Sequence, residues 1–249
     1  MGAAGIGYSR ETDRMQKRTF LKAALGGATM LGTGFMSVAK AAEPAADPTI
    51  DVEAADYWAG ILTKYRHDNK VQDVMLVRYL GGCKATIQFF HKGVNDAWEL
   101  LFESEGFVGK NGIDKEGEGD AKTPTGDFGI LRAFGILPNP GTTLTYIDVT
   151  PTTYACDEKG PYYNTIIDAK TVTGHPCKGE EMYEYSPQYN YGLETDFNSE
   201  RVYPKGSAIF LHCKGVKPYT GGCIAIDQAL MKRVLQIASP GMRIVVHRN

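Results

Sequence analysis

Two residues in the C-terminal third of the sequence have the chemistry of a covalent catalyst. His212 ends the apolar run SAIFLHC, and Cys223 follows Gly221 and Gly222 in YTGGCIAI. A thiol with a free pKa of ~8.5 becomes a useful nucleophile at neutral pH when a base takes its proton or a positive potential favours the thiolate. An imidazole eleven positions upstream can be that base if the two segments are adjacent strands joined by the loop 215–222. Gly221 and Gly222 let the backbone approach a substrate closely, and the amides of Gly222 and Cys223 are the donors expected to face a developing oxyanion. The imidazole also needs a group to orient it, for which the nearest candidate is the backbone carbonyl of Cys213. A helix capped by Asp227 adds an N-terminal field that fades within about a turn, so it assists without dominating. Each part also has a plainer reading: a histidine in a strand as a satisfied core residue, a cysteine as a small buried hydrophobe.

Metal binding is the rival chemistry for the same residue types. His175, Cys177, His212, Cys213 and Cys223 are all possible ligands, yet none forms the paired spacing of a structural zinc site. The acidic loop within 108–130 lacks the alternating carboxylates and closing glutamate of a calcium-binding loop. No metal and no cofactor is expected. His67, His91 and His247 fall at a helix end and strand ends, where a surface role is the expectation.

The elements that must position the pair read as mainly β, with few helices. The 29 glycines and 14 tyrosines against two tryptophans suit strands joined by tight turns. An amphipathic helix is expected from residue 50 to about 67, with Val52, Tyr57, Trp58, Ile61, Leu62 and Tyr65 near helical spacing. VMLVRYL, ATIQFF and AWELLFESEG then read as a meander of strands turning first at Gly81-Gly82, and GDFGILRAF resumes a strand after the polar loop that ends in Thr123-Pro124-Thr125-Gly126. Residues 150–206 form a long aromatic insertion with little periodicity, a candidate binding surface or lid. SAIFLHC is a buried strand, CIAI another extended piece, and residues 228 to about 238 a helix closed by Pro240-Gly241 before the final strand MRIVVH.

Residues 1–41 read as an export signal rather than part of the fold. The basic residues Lys17, Arg18 and Lys22 precede a weakly apolar, glycine-rich stretch at 23–38 and the small-residue site Ala39-Lys40-Ala41. The stretch Lys17-Arg18-Thr19-Phe20-Leu21-Lys22 is similar to a twin-arginine signal with lysine in place of the first arginine. The apolar stretch is shorter than the ~20 residues that span a bilayer, so no stable membrane span is expected in the mature chain. Residues 42–70 follow as a Pro/Ala linker and the N-terminal helix, then 71–249 as the catalytic domain. The segment 1–41 carries six cations and two anions, so its removal moves the net charge from −2 to −6. An acidic chain with no basic stripe has no electrostatic footprint for nucleic acid. Five cysteines leave at least one unpaired within the chain. Cys156 and Cys177 flank a tyrosine-rich loop that they could close, while Cys83 and Cys213 have no evident partner.

The series GKNG, GEGDAKTPTGDFGI, PYYN and GSAIFLHCKGVKPYTGGCIAI resembles the YkuD family of L,D-transpeptidases over roughly residues 75–247. The resemblance implies a mixed β-sandwich with a helix after the catalytic cysteine, Cys223 as nucleophile, His212 as its base, and the carbonyl of Cys213 completing a triad. It implies an exported, periplasmic or cell-envelope acyltransferase that acts on peptidoglycan stem peptides through a thioester. The same site with water as acceptor would be an L,D-carboxypeptidase or amidase, and an inert site would be a wall-binding module. The familiar signature Ser/Thr-His-Gly-Cys-x-Arg stands here as Thr220-Gly221-Gly222-Cys223-Ile224-Ala225, so the motif histidine is Gly221 and the substrate-placing arginine is Ala225. That departure and the short His-to-Cys spacing imply a divergent branch.

Overall fold

The computed structural model describes residues 52–174 and 177–248, with side chains from Tyr57 onward. The expectations for residues 1–41 and the linker, and His175 as a ligand, lie outside the described residues. Helix α1 (Val52–Tyr65) opens the described chain. Strands β1 (Asp73–Gly81), β2 (Lys84–Lys92) and β3 (Trp98–Phe107) form the expected meander, all antiparallel. Strand β4 (Gly126–Gly135) follows the polar loop, and the C-terminal part supplies β10 (Phe210–Cys213), β11 (Ile224–Ile226), helix α2 (Gln228–Ile237) and β12 (Arg243–Arg248).

The insertion has more order than its sequence suggests. It follows the short strand β5 (Tyr146–Asp148) and contains β6 (Thr153–Cys156), β7 (Thr165–Asp168) and β8 (Glu180–Glu181), which make a separate three-stranded sheet. The Cys156–Cys177 disulfide closes this unit, as the flanking positions suggested. Strand β9 (Gly192–Thr195) then belongs to the main sheet, between β10 and β4. Reading all of 150–206 as irregular loop is therefore corrected. Four residues, all buried and one of them glycine, are too few to display alternation.

The main sheet is mixed, in the order β12-β1-β2-β3-β11-β10-β9-β4-β5, and β12 also pairs with β4. Strand β4 makes this possible by using its first four residues for β12 and its later ones for β9 and β5. With the mixed sheet returning on itself and only two α-helices among the described residues, the mainly-β sandwich expected from the sequence is the fold. Alternation then sorts the side chains. Met75 and Val77 join the central core with Ile87, Phe89, Leu211, Ile224, Ile244 and Val246, while Val74, Leu76 and Val245 face the other way onto Trp58, Ile61 and Tyr65 of α1. Strand β1 is covered on both faces, which is why VMLV is a continuous apolar run.

Gly192 shows how closely β9 fits. A Cβ placed there would come within 2.2 Å of the Phe134 ring, and its Cα partner across the ladder is His212. Gly192→Ala should lower stability by about 1–3 kcal/mol, the cost of overpacking a filled core, measurable as a lower urea midpoint at unchanged slope.

Candidate active site

The two candidate catalytic residues arrive on one face because of strand pairing. The two strands are adjacent, as expected, and run parallel: Leu211 of β10 lies opposite Ile224 of β11, His212 opposite Ala225 and Cys213 opposite Ile226. Leu211, Cys213, Ile224 and Ile226 point into the central core. Period two then sends Phe210, His212, Cys223 and Ala225 to the opposite face. There His212, Cys223 and Ala225 line a cavity of about 430 Å³. Phe210 and Cys223 pack with Phe134, Ala155, Met182 and Tyr189.

His212 is fixed by two contacts. Its Nδ1 lies 2.8 Å from the Cys213 carbonyl oxygen. A carbonyl only accepts, so Nδ1 carries the proton and the Nε2 lone pair is left to act as base. The Tyr189 ring packs edge-on against the imidazole at 5.5 Å, and its hydroxyl is tied to Glu180. The backbone carbonyl proposed from sequence to orient the imidazole therefore does contact it.

Around Cys223 the structure adds groups that the sequence reading missed. Its carbonyl oxygen accepts from Thr220 Oγ1 at 2.7 Å and Thr123 Oγ1 at 3.1 Å. Thr123 also accepts from the Gly109 amide, and Lys110 N–H donates to the Thr220 carbonyl, so the loop 108–123 is latched to the cysteine turn. The thiol donates to the Ala208 carbonyl at 3.1 Å and its sulfur accepts from the Phe210 amide at 3.4 Å. Ala208 has φ +51°, a left-handed conformation that is uncommon for a non-glycine residue. The sequence signal for the latch was Thr123-Pro124-Thr125-Gly126, read there only as the end of a loop.

Two roles given to this turn change. Gly222 is required as glycine, with φ +147° and room for no Cβ against the Lys122 carbonyl, but its amide already donates to Thr220 Oγ1 at 3.1 Å. It is not the free oxyanion donor that the sequence suggested, because the turn that brings Cys223 to the surface of the sheet uses that amide to close itself. Gly221 has open space around it. Helix α2 begins after all of β11, four extended residues or roughly 13 Å from Cys223, too far for its terminal field to matter. Asp227 occupies the cap position without a side-chain cap bond and instead pairs with Lys214.

Burial decides the protonation state. It pushes the Cys223 thiol up to about 12, reinforced by the Glu180 charge and opposed by the Phe210 amide and Lys115. Burial also pushes the His212 imidazole down to about 4, against the pull of its hydrogen bond to Cys213. The resting pair is neutral thiol and neutral imidazole, so of the two routes to a thiolate the one that remains is transfer of the proton to a base as attack proceeds.

The remaining candidates lie apart. Cys177 is in the disulfide, Cys213 donates from the core to the Tyr191 carbonyl, and Cys83 donates to the Pro218 carbonyl. His91 pairs with the fully buried Asp73, more than a surface role, while His67 meets Asp96 and His247 stacks on Tyr57. No group of three His, Cys, Asp or Glu side chains among the described residues is placed to hold a metal.

With this fold and site in view, the comparison with known families is direct: residues 84–246 match the YkuD L,D-transpeptidase catalytic domain, and the chain belongs to that family. Peptidoglycan modification of the L,D-transpeptidase type is the chemistry that membership supports. No curated protein matches the chain.

Two outcomes follow for the site. Replacing both Thr220 and Thr123 by valine strips the Cys223 carbonyl of its hydroxyl donors and should cost about 1–3 kcal/mol, seen in urea unfolding together with slower modification of Cys223. Because the folded imidazole titrates near 4 rather than 6.5, the base form survives until the pH falls through about 4. The acid limb of any Cys223-dependent acylation should therefore centre near pH 4. Between 6.5 and 4 the unfolded chain takes up a proton that the native state refuses, so stability should fall as pH drops through that window, and His212→Gln should flatten the fall.

Proposed function

We propose that the protein is an exported cysteine acyltransferase that acts on peptidoglycan stem peptides through a thioester at Cys223. The observation that carries this reading is the placement of His212 and Cys223 on one face of adjacent parallel strands, lining one cavity, with the imidazole tautomer fixed by the Cys213 carbonyl.

The chemistry proceeds from the neutral pair. As the Cys223 sulfur adds to the carbonyl of the diamino acid that precedes a terminal D-alanine, its proton passes to His212 Nε2. The carbonyl π pair moves to oxygen. Collapse of the adduct expels the D-alanine amine, which takes the proton from His212 and leaves an acyl-thioester. An amine of a second stem then attacks the thioester, His212 accepts its proton and returns one to the departing sulfur, and an amide cross-link results.

Amine rather than water as acceptor is favoured by three carboxylates that line the cavity, Glu118, Asp157 and Glu180, which lie near enough to one another for their charges to interact. Their charge suits an incoming ammonium group. Burial raises the Glu180 and Asp157 carboxyls, which brings them closer to accepting a proton from it. Export is supported by the order of basic, apolar and small residues in 1–41 and by the Cys156–Cys177 disulfide, which persists in an oxidising compartment.

Incubating the purified protein with a tetrapeptide stem and weighing the products tests the reading. Cross-linked dimers are expected; trimmed monomers alone would assign the site to hydrolysis, and no change in the peptide would leave only binding. Cys223→Ala should abolish product and the thioester mass adduct while keeping the fold, and His212→Ala should slow acylation on the order of 10²- to 10⁴-fold.

A further inference from the structure

Of the two amides expected to face an oxyanion, that of Gly222 is engaged by Thr220, which leaves only that of Cys223, and the signature arginine is Ala225, so there is room for another positive group beside the reacting carbon. Lys115 is placed to be that group. Its side chain is only 2% exposed, yet it lines the same cavity as Cys223 and His212. Two glycines make its path. A Cβ on Gly206, at φ +119°, would fall 2.3 Å from Lys115 Cε, and a Cβ on Gly222 would fall 3.7 Å from its Nζ. The stem therefore runs over one glycine and delivers the ammonium to the turn that carries the nucleophile.

The ammonium is held there by Asp120, 2.7 Å away. Asp120 is itself fixed by amide donors from Glu116, Gly117 and Lys122. Burial works against its ionisation, but the Lys115 hydrogen bond and these three amides outweigh it and hold the carboxyl well below the usual range. One of the three Nζ donors goes to Asp120, and no other hydrogen bond of this group is formed among the described residues. A preorganised cation in a water-poor site acts far more strongly on a developing negative charge than it would in water.

We propose that the Lys115 ammonium, with Cys223 as the nucleophile on which this assignment rests, is the catalytic group that binds the oxyanion of the tetrahedral adduct. When sulfur adds to the carbonyl carbon and the π pair moves to oxygen, that oxygen accepts a hydrogen bond from Lys115 Nζ. When the adduct collapses, the pair returns to the C–O bond and the ammonium is unchanged. No proton leaves Lys115.

Single-turnover acylation of the full chain by the tetrapeptide stem tests this. Lys115→Met should lower the acylation rate at saturating donor on the order of 10²- to 10³-fold. Asp120→Asn, which keeps the ammonium and removes its anchor, should cost far less. Alkylation of Cys223, located by peptide mass, reads the same cation without a peptide substrate: Lys115→Met should lower the rate with anionic iodoacetate more than with neutral iodoacetamide. The assignment is overturned if Lys115→Met raises KM alone, which would make the lysine a seat for the donor's carboxylate. It is equally overturned if Asp120→Asn costs as much as Lys115→Met, or if both alkylating agents slow alike, either of which reduces Lys115 to a loop tether. Retained acylation in Cys223→Ala would instead remove the nucleophile assignment, a result separable from these.

Discussion

The parallel register between Phe210–Cys213 and Ile224–Ile226 is the constraint from which the site follows. Once Leu211 and Ile224 are paired and both point into the core, the two-residue period of a strand puts His212 and Cys223 on the other face together. A shift by one residue in either strand would bury one of them among Met231, Val234 and Leu235 and expose its apolar neighbour, at a cost set by the whole central core. The energy that fixes the geometry of this pair is thus core packing on the reverse side of the same strands.

Burial then shapes the chemistry. The face that His212 and Cys223 share is covered by Phe134, Met182 and Tyr189, so neither charged form is favoured at rest. A neutral pair gives up the reactivity of a standing thiolate and gains resistance to adventitious oxidation, since the thiolate is the form that oxidises. It also makes the surroundings of the reacting oxygen matter more, because a charge that appears only during reaction must be met by groups already in place. The loop 108–123 approaches from that side, with Thr123 on the Cys223 carbonyl and Lys115 beside Gly222.

The small sheet β6–β8 with its disulfide serves the same face. Glu180 of β8 reaches Tyr189, whose ring stands against His212, and Asp157 follows the disulfide cysteine Cys156. The insertion therefore both packs against the imidazole and brings two carboxylates, Asp157 and Glu180, to a cavity that Lys110, Lys115 and Lys217 also line.

Local sequence determined the elements wherever a segment was long enough to show a period. The meander to Phe107, the two helices and the strand that ends in FLHC were legible because alternation, helical spacing and glycine turns are local properties. His212, Cys223 and the orienting carbonyl of Cys213 were legible for the same reason, each lying within a few residues of a recognisable turn or strand end. The direction of the β10–β11 pairing was decided by tertiary structure, because a loop of this length can join neighbours of either sense. So were the membership of β9 in the main sheet, the engagement of the Gly222 amide, and the approach of Thr123 and Lys115 from a hundred residues away, contacts between segments whose separation in sequence carries no periodic signal. The protonation of His212 and Cys223 belongs to the same class, since it depends on which side chains close over the two residues and not on the residues themselves.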